Sequence, residues 1–161
     1  MDVIFDTDIG DDIDDALALA LLLRSPELTL KALVTNNSCE GERALIASKL
    51  LRTADRSDVP VFRGAPGGKG RLSQDEFING YSDDGIKGFY DFLRFLELSI
   101  DGAEDKPVYL SLGSLTNLAQ ILENLSGTLN GMEVVIMGGA LKVDYKGNQT
   151  PQAEWNILSD V

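Results

Sequence analysis

A chain of 161 residues with 43% hydrophobic content and only five prolines is long enough for one domain with a sizeable core, which excludes a disulfide-stapled miniprotein and a disordered tail. Fourteen basic against 26 acidic residues leave a net charge of −12, which argues against non-specific nucleic-acid binding and an anionic membrane surface and points to neutral, cationic or metal-bridged partners. The absence of histidine excludes a histidine general acid, a histidine metal ligand and a Ser-His-Asp triad within the chain.

In chain order, residues 3–5 read as a short buried strand, and Asp6 and Asp8 follow with period two, so both are expected to point to one side at its carboxyl end. Gly10 permits a tight turn close to a ligand. Residues 13–23 are apolar nearly all round, which predicts a helix covered on most sides, with Asp14 and Asp15 in the first turn where the helix dipole favours negative charge. Ser25-Pro26 ends that helix. Residues 28–34 predict a second strand, 42–54 a second helix and 59–62 a short strand.

The glycine-rich stretch 64–84 has almost no periodicity and reads as a lid, a binding loop or a mobile surface loop; Lys69 lacks the following Ser or Thr of a phosphate loop. Residues 85–98 predict a helix, 108–112 a strand, 115–125 a helix, and 134–137 a strand running into Gly138-Gly139. The tail 141–161 is polar and turn-rich and lacks a closing helix. Cys39, the single cysteine, rules out an internal disulfide and suits a reducing cytoplasm, where this chain is expected. No signal-peptide pattern is present, and no stretch approaches the roughly 18 to 20 apolar residues of a membrane span.

Strands alternating with helices specify an α/β fold: one domain over 1–161, built on an open, mostly parallel sheet with helices on both faces. In such sheets ligands bind beyond the carboxyl ends of the strands, near the point where strand order reverses. Asp6 and Asp8, Asn36 and Asn37, residues 112–114 and residues 137–139 all fall at those ends and converge on one rim. Asp6, Asp8, Asp11, Asp12, Asp14 and Asp15 put six acids inside ten residues, more than helix capping needs. Such crowding is costly without a counter-ion, and an oxygen-only set suits Ca²⁺ or Mg²⁺, not zinc.

Asp6-Thr7-Asp8-Ile9-Gly10 followed by Asp14-Asp15 opening a helix resembles the nucleoside hydrolases, calcium-dependent enzymes that cleave the N-glycosidic bond of ribonucleosides. Two further stretches carry the resemblance in the same order: residues 112–119, and Met137-Gly138-Gly139-Ala140 followed by Gly147-Asn148 and by Ala153 to Ile157 with Asp160. The resemblance implies Asp8 and Asp15 as calcium ligands, the Leu112 carbonyl as a third, and Asp14 as the general base that deprotonates the attacking water and contacts the ribose. It further implies that Asn148, Glu154 and Asn156 hold the sugar hydroxyls and that Met137 lines the ribose floor.

Family members commonly have two fewer residues before the acid pair, so Asp11-Asp12 and Asp14-Asp15 are alternative registers; Ala16-Leu17-Ala18 favours the second. The family's asparagine after the second strand falls nearest Cys39, with Asn36 or Asn37 as substitutes, and a family histidine in the long loop is replaced by Asn79. The resemblance covers the whole chain but about the first half of the family's usual length. The later Asp that completes the calcium shell, and a His that some members use on the leaving base, are therefore missing. That implies a nucleoside-hydrolysing enzyme acting as a homo-oligomer or with a separate carboxyl half, or a non-catalytic calcium- and ribose-binding homologue. A haloacid-dehalogenase-like phosphatase with Asp6 as nucleophile is a third reading, though Ile9-Gly10-Asp11 fits it poorly.

Overall fold

The computed structural model describes residues 1–68, 71–125, 127, 129–144, 147–149 and 153–159. Five parallel strands, β1 (Asp2–Thr7), β2 (Thr29–Thr35), β3 (Val61–Phe62), β4 (Val108–Ser111) and β5 (Val134–Ile136), form one open sheet in the order β3-β2-β1-β4-β5. Helices α1 (Asp14–Arg24), α2 (Glu40–Thr53), α3 (Phe89–Ile100), α4 (Thr116–Asn124) and the single turn α5 (Trp155–Leu158) complete the described secondary structure with one 3-10 turn, Asp75–Ile78.

Alternation along β1 divides the core. Val3 and Phe5 pack with Leu19 and Leu22 of α1 and Ala44, Ile46, Ala47 and Leu51 of α2 on one face. Ile4 packs with Phe92, Leu93 and Leu96 of α3 and Leu118 and Ile121 of α4 on the other. After β1 the chain winds toward β2 and β3, then returns to place β4 and β5 on the opposite side of β1. The reversal between β1 and β4 opens a crevice at their carboxyl ends.

Three expectations change in detail. Ile13, Leu17 and Leu21 form an exposed stripe along α1, so that helix is covered on one side only. Helix α3 begins at Phe89 because Lys87 is drawn into the sheet edge, its N–H donating to Val61 O at 3.2 Å and its carbonyl accepting from Arg63 N at 2.8 Å. The tail does form one helical turn, α5, where the Glu154 carboxylate accepts from Asn156 N at 3.0 Å and caps it. No helix among the described residues is long and apolar enough to cross a membrane.

Candidate functional site

The acidic turn between β1 and α1 is braced from two directions. Gly10 has φ of +117°, and a Cβ there would sit 2.7 Å from Ile46 Cδ1 and 2.8 Å from Leu72 Cδ1, so only glycine fits both the backbone and the space. From the outside, Ser73 N and Gln74 N donate to Gly10 O at 3.0 and 2.9 Å, Ser73 Oγ donates to Asp11 Oδ1 at 2.6 Å, and Gln74 Nε2 donates to Asp12 O at 2.9 Å. One function of the long loop is thus to clasp this turn. From the inside, the fully buried Arg43 reaches up from α2 and donates to the carbonyls of Asp8 and Ile9.

A cavity of about 590 Å³ opens beside this turn, lined by Asp8, Asp11, Asp12, Asp14, Asp15, Leu112, Met137, Gly138, Gly139, Glu154, Trp155 and Asn156. It lies over the ends of β1, β4 and β5, where the switch in strand order places it. Asp8, Asp14, Asp15, Leu112, Met137, Glu154 and Asn156, distant in sequence, are brought to its wall. Asn148 is not: it is exposed, and its N–H and Nδ2 donate to the Asp144 carboxylate at 2.9 and 2.8 Å. Asn79 does not line the cavity either. Asp160 and Lys69 lie outside the described residues.

Asp6 and Asp8 part company because β1 ends at Thr7, after which strand alternation no longer governs direction. Asp6 is fully buried and lines no part of the cavity. Its carboxylate accepts from Tyr109 Oη at 2.6 Å, Asn36 Nδ2 at 2.6 Å and Asn117 Nδ2 at 2.9 Å, and its carbonyl accepts from Leu112 N at 2.9 Å. This buried hub ties the ends of β1, β2 and β4 to α4, and Gly113 supports it: a Cβ there would collide with the Asn36 amide. The phosphatase reading loses its nucleophile to that network. No sequence signal names Tyr109, Asn117 or Arg43 as partners of the acids, because each meets them only through the fold.

Asn37, not Cys39, reaches the cavity acids. Asn37 Nδ2 donates to Asp8 Oδ2 at 3.1 Å, whereas Cys39 is exposed at the start of α2. Asp15 is buried and accepts from Thr7 Oγ1. Burial pushes the Asp15 carboxyl up to about 7, the Thr7 hydrogen bond opposes it, and repulsion from Asp8 and Asp14 adds to it. Burial raises Asp8 in the same direction against its bond from Asn37 and the nearby Arg43 charge. Burial also lifts Asp6 to about 6, despite three hydrogen bonds that favour its charged form.

Across the cavity, Asn156 is buried and its Nδ2 donates to Leu112 O at 2.7 Å and to Met137 O at 3.0 Å, stitching the ends of β4 and β5. Glu154 is held by Gly139 N at 3.2 Å through Oε2. The groups at the cavity are therefore oxygen-rich: the crowded, desolvated carboxylates of Asp8 and Asp15, with Leu112, whose carbonyl accepts from Asn156, beside them. That fits a hard divalent cation, which would offset the burial that raises both acids and the repulsion that adds to it. Among the described residues, no three acidic or cysteine side chains stand close enough to form a metal cage unaided. The fit is to a partial shell.

A family model described as inosine-uridine preferring nucleoside hydrolase matches residues 3–161. The chain is 36% identical over 174 residues to a pyrimidine-specific ribonucleoside hydrolase, RihA, of Shewanella sp. strain ANA-3, covering 98% of this chain and 52% of that protein. It is 32% identical to uridine nucleosidase 1 of Arabidopsis thaliana, over 98% of this chain and 50% of that one. The fold superposes on a plant nucleoside hydrolase, PpNRh1, with a TM-score of 0.76 at 32% identity, covering 99% of this chain and 54% of the other. This chain thus spans about half the length of the curated relatives it matches.

Proposed function

We propose, from the premise that this chain belongs to the inosine-uridine preferring nucleoside hydrolase family, that its cavity binds a ribonucleoside and, with a divalent cation, hydrolyses the N-glycosidic bond to base and ribose. The observation that carries the reading is the convergence of Asp8, Asp14, Asp15 and the Leu112 carbonyl with Met137, Glu154 and Asn156 on one cavity. In this reading residues 1–161 are one domain, the amino-terminal portion of the family fold, acting in a reducing cytoplasm.

Asp8, Asp15 and the Leu112 carbonyl would hold Ca²⁺. Bound there, the cation would supply Lewis acidity that lowers the pKa of water. Asp14, exposed at the cavity wall in the first turn of α1, takes the proton from the attacking water. Its placement after the clasped Asp11 and Asp12 favours the Asp14-Asp15 register. Glu154 and Asn156 position the ribose hydroxyls, and Met137 provides the apolar floor. The family resemblance adds Asn148 to this set, while here it is held by Asp144 away from the cavity wall. The surrounding carboxylates stabilise positive charge as the sugar becomes oxocarbenium-like.

The test is ribose release from uridine and inosine by the chain at high concentration, with and without chelator; uridine comes first because relatives act on pyrimidine nucleosides or uridine by name. Chelator-sensitive turnover supports hydrolysis, and its absence sinks it. A second reading, a calcium- and ribose-binding module without turnover, needs only the carboxylates and polar residues that line the cavity. Calcium binding without any ribose release would select it.

Association is part of the proposal. Among the described residues β5 is an edge strand, and Val135, Ile136, Met137, Trp155, Ile157 and Leu158 expose apolar surface beside the cavity. A second copy or a separate carboxyl half would cover it. Light scattering that finds a well-behaved monomer at all concentrations would count against the first of these.

A further inference from the structure

The buried cation Arg43 is the feature that the proposed chemistry leaves unexplained. Its side chain is inaccessible to solvent, yet its hydrogen bonds all go to neutral carbonyls: Nε to Ser38 O at 2.7 Å, Nη1 to Asp8 O and to Ile9 O at 3.1 Å, and Nη2 to Arg71 O at 2.6 Å. The ion pairs found among the described residues, Lys31 with Asp2 and Arg56 with Asp58, do not include it. Its charge favours the ionised forms of Asp8 and Asp15, yet neither carboxylate is paired with it directly, and a buried charge left so is costly.

The four carbonyls belong to three separate segments: the acidic turn after β1, the turn after β2 that carries Asn37, and the long loop at the point where it folds over Gly10. We infer that Arg43 is a positioning residue whose planar guanidinium fork locks these three segments together, so that the Asp8 side chain is directed to the cavity and the cation site is formed before any cation arrives. Turning the Asp8 and Ile9 carbonyls toward α2 fixes the backbone from which the Asp8 carboxylate projects. The Ser38 bond holds the turn that brings the Asn37 amide to Asp8. The fork matters as well as the charge, since an ammonium offers no planar set of donors to three segments at once.

The inference rests on the reading of Asp8 and Asp15 as cation ligands, and the test separates the two. In the cation-free wild-type chain, nitrogen-15 spectra should show one arginine Nε–H strongly protected from exchange and lost in Arg43→Lys. Calorimetric titration with Ca²⁺ should then show affinity at least about tenfold weaker in Arg43→Lys and in Arg43→Gln, the scale of a lost outer-shell partner. Circular dichroism would establish that each variant is folded at the titration temperature. A folded Arg43→Lys that binds Ca²⁺ as tightly as wild type would overturn the inference, as would tighter binding in either variant. If neither variant folds, the wild-type spectra decide: an unprotected Arg43 Nε–H rejects the lock. Failure of the wild-type chain to bind Ca²⁺ would instead remove the cation reading, with Nε–H protection still judging the lock.

Discussion

The two ends of the cavity are built differently. At the β1 end, Asp6 is fully buried with three side-chain donors, Arg43 is fully buried on four carbonyls, and Asp15 is buried against Thr7. At the β5 end, Val135, Ile136, Met137 and Trp155 are all exposed, and one buried side chain, Asn156, does most of the joining. The acid half is preorganised because crowded carboxylates require a rigid frame. The β5 half carries few charges to restrain, and its apolar surface gains most from being covered.

The largest effect should come from the acids themselves. Asp8→Ala and Asp15→Ala should each weaken Ca²⁺ binding by roughly two orders of magnitude or more, since in the proposed site each removes a charged ligand from a partial shell. Asp14→Asn should leave Ca²⁺ affinity within about threefold and reduce ribose release by at least ~100-fold, on the scale of general-base catalysis. Titration and ribose assay of the three variants would check this, and equal loss of affinity in all three would reject the assigned register.

The contrast in bracing predicts a contrast in stability. Asp6→Ala should cost about 2–4 kcal/mol, because Tyr109, Asn36 and Asn117 would keep buried donors without their acceptor. Trp155→Ala, at a half-exposed position, should cost less than about 1 kcal/mol. Urea denaturation of both variants measures the difference, and similar costs would erase the distinction between the two ends.

A pH effect should be confined to the acid half. Asp6 and Asp15 have carboxyls raised from 3.8 to about 6 and about 7 in the folded chain. The folded state therefore binds more protons than the unfolded chain across that interval, and stability is fullest below about pH 4 and falls as pH rises toward about 7. Added Ca²⁺ favours ionised Asp15 and should flatten the slope. Urea midpoints at about pH 4 and about pH 7.5, in chelator and then in Ca²⁺, test the sign. A midpoint that rises with pH in chelator would contradict it.

The smallest effect concerns the cover. Ile136→Lys should leave the thermal midpoint within a few degrees, because the side chain is half exposed, but should reduce any self-association seen by light scattering.

Much of this was legible in the residues alone. Alternation and helical spacing, with acids at one strand end, specify the α/β order and the rim, because buried parallel strands must be apolar and ligand groups gather at their carboxyl ends. Through the family resemblance the motifs also name Asp8, Asp14, Asp15, Leu112, Met137, Glu154 and Asn156, which all line one cavity, and Asn148, which does not. What the chain order could not reveal is which acid faces solvent-filled space and which is buried. Asp6 and Asp8 look equivalent as a pair, yet a strand that stops at Thr7 sends one into a network with Tyr109 and leaves the other at the cavity. Arg43 looks like any helix-surface cation, and only the folding of three segments around α2 surrounds it with carbonyls. Periodicity is local, and so it is written in sequence. Burial and hydrogen bonding between distant segments are products of packing, and only the tertiary structure decides them.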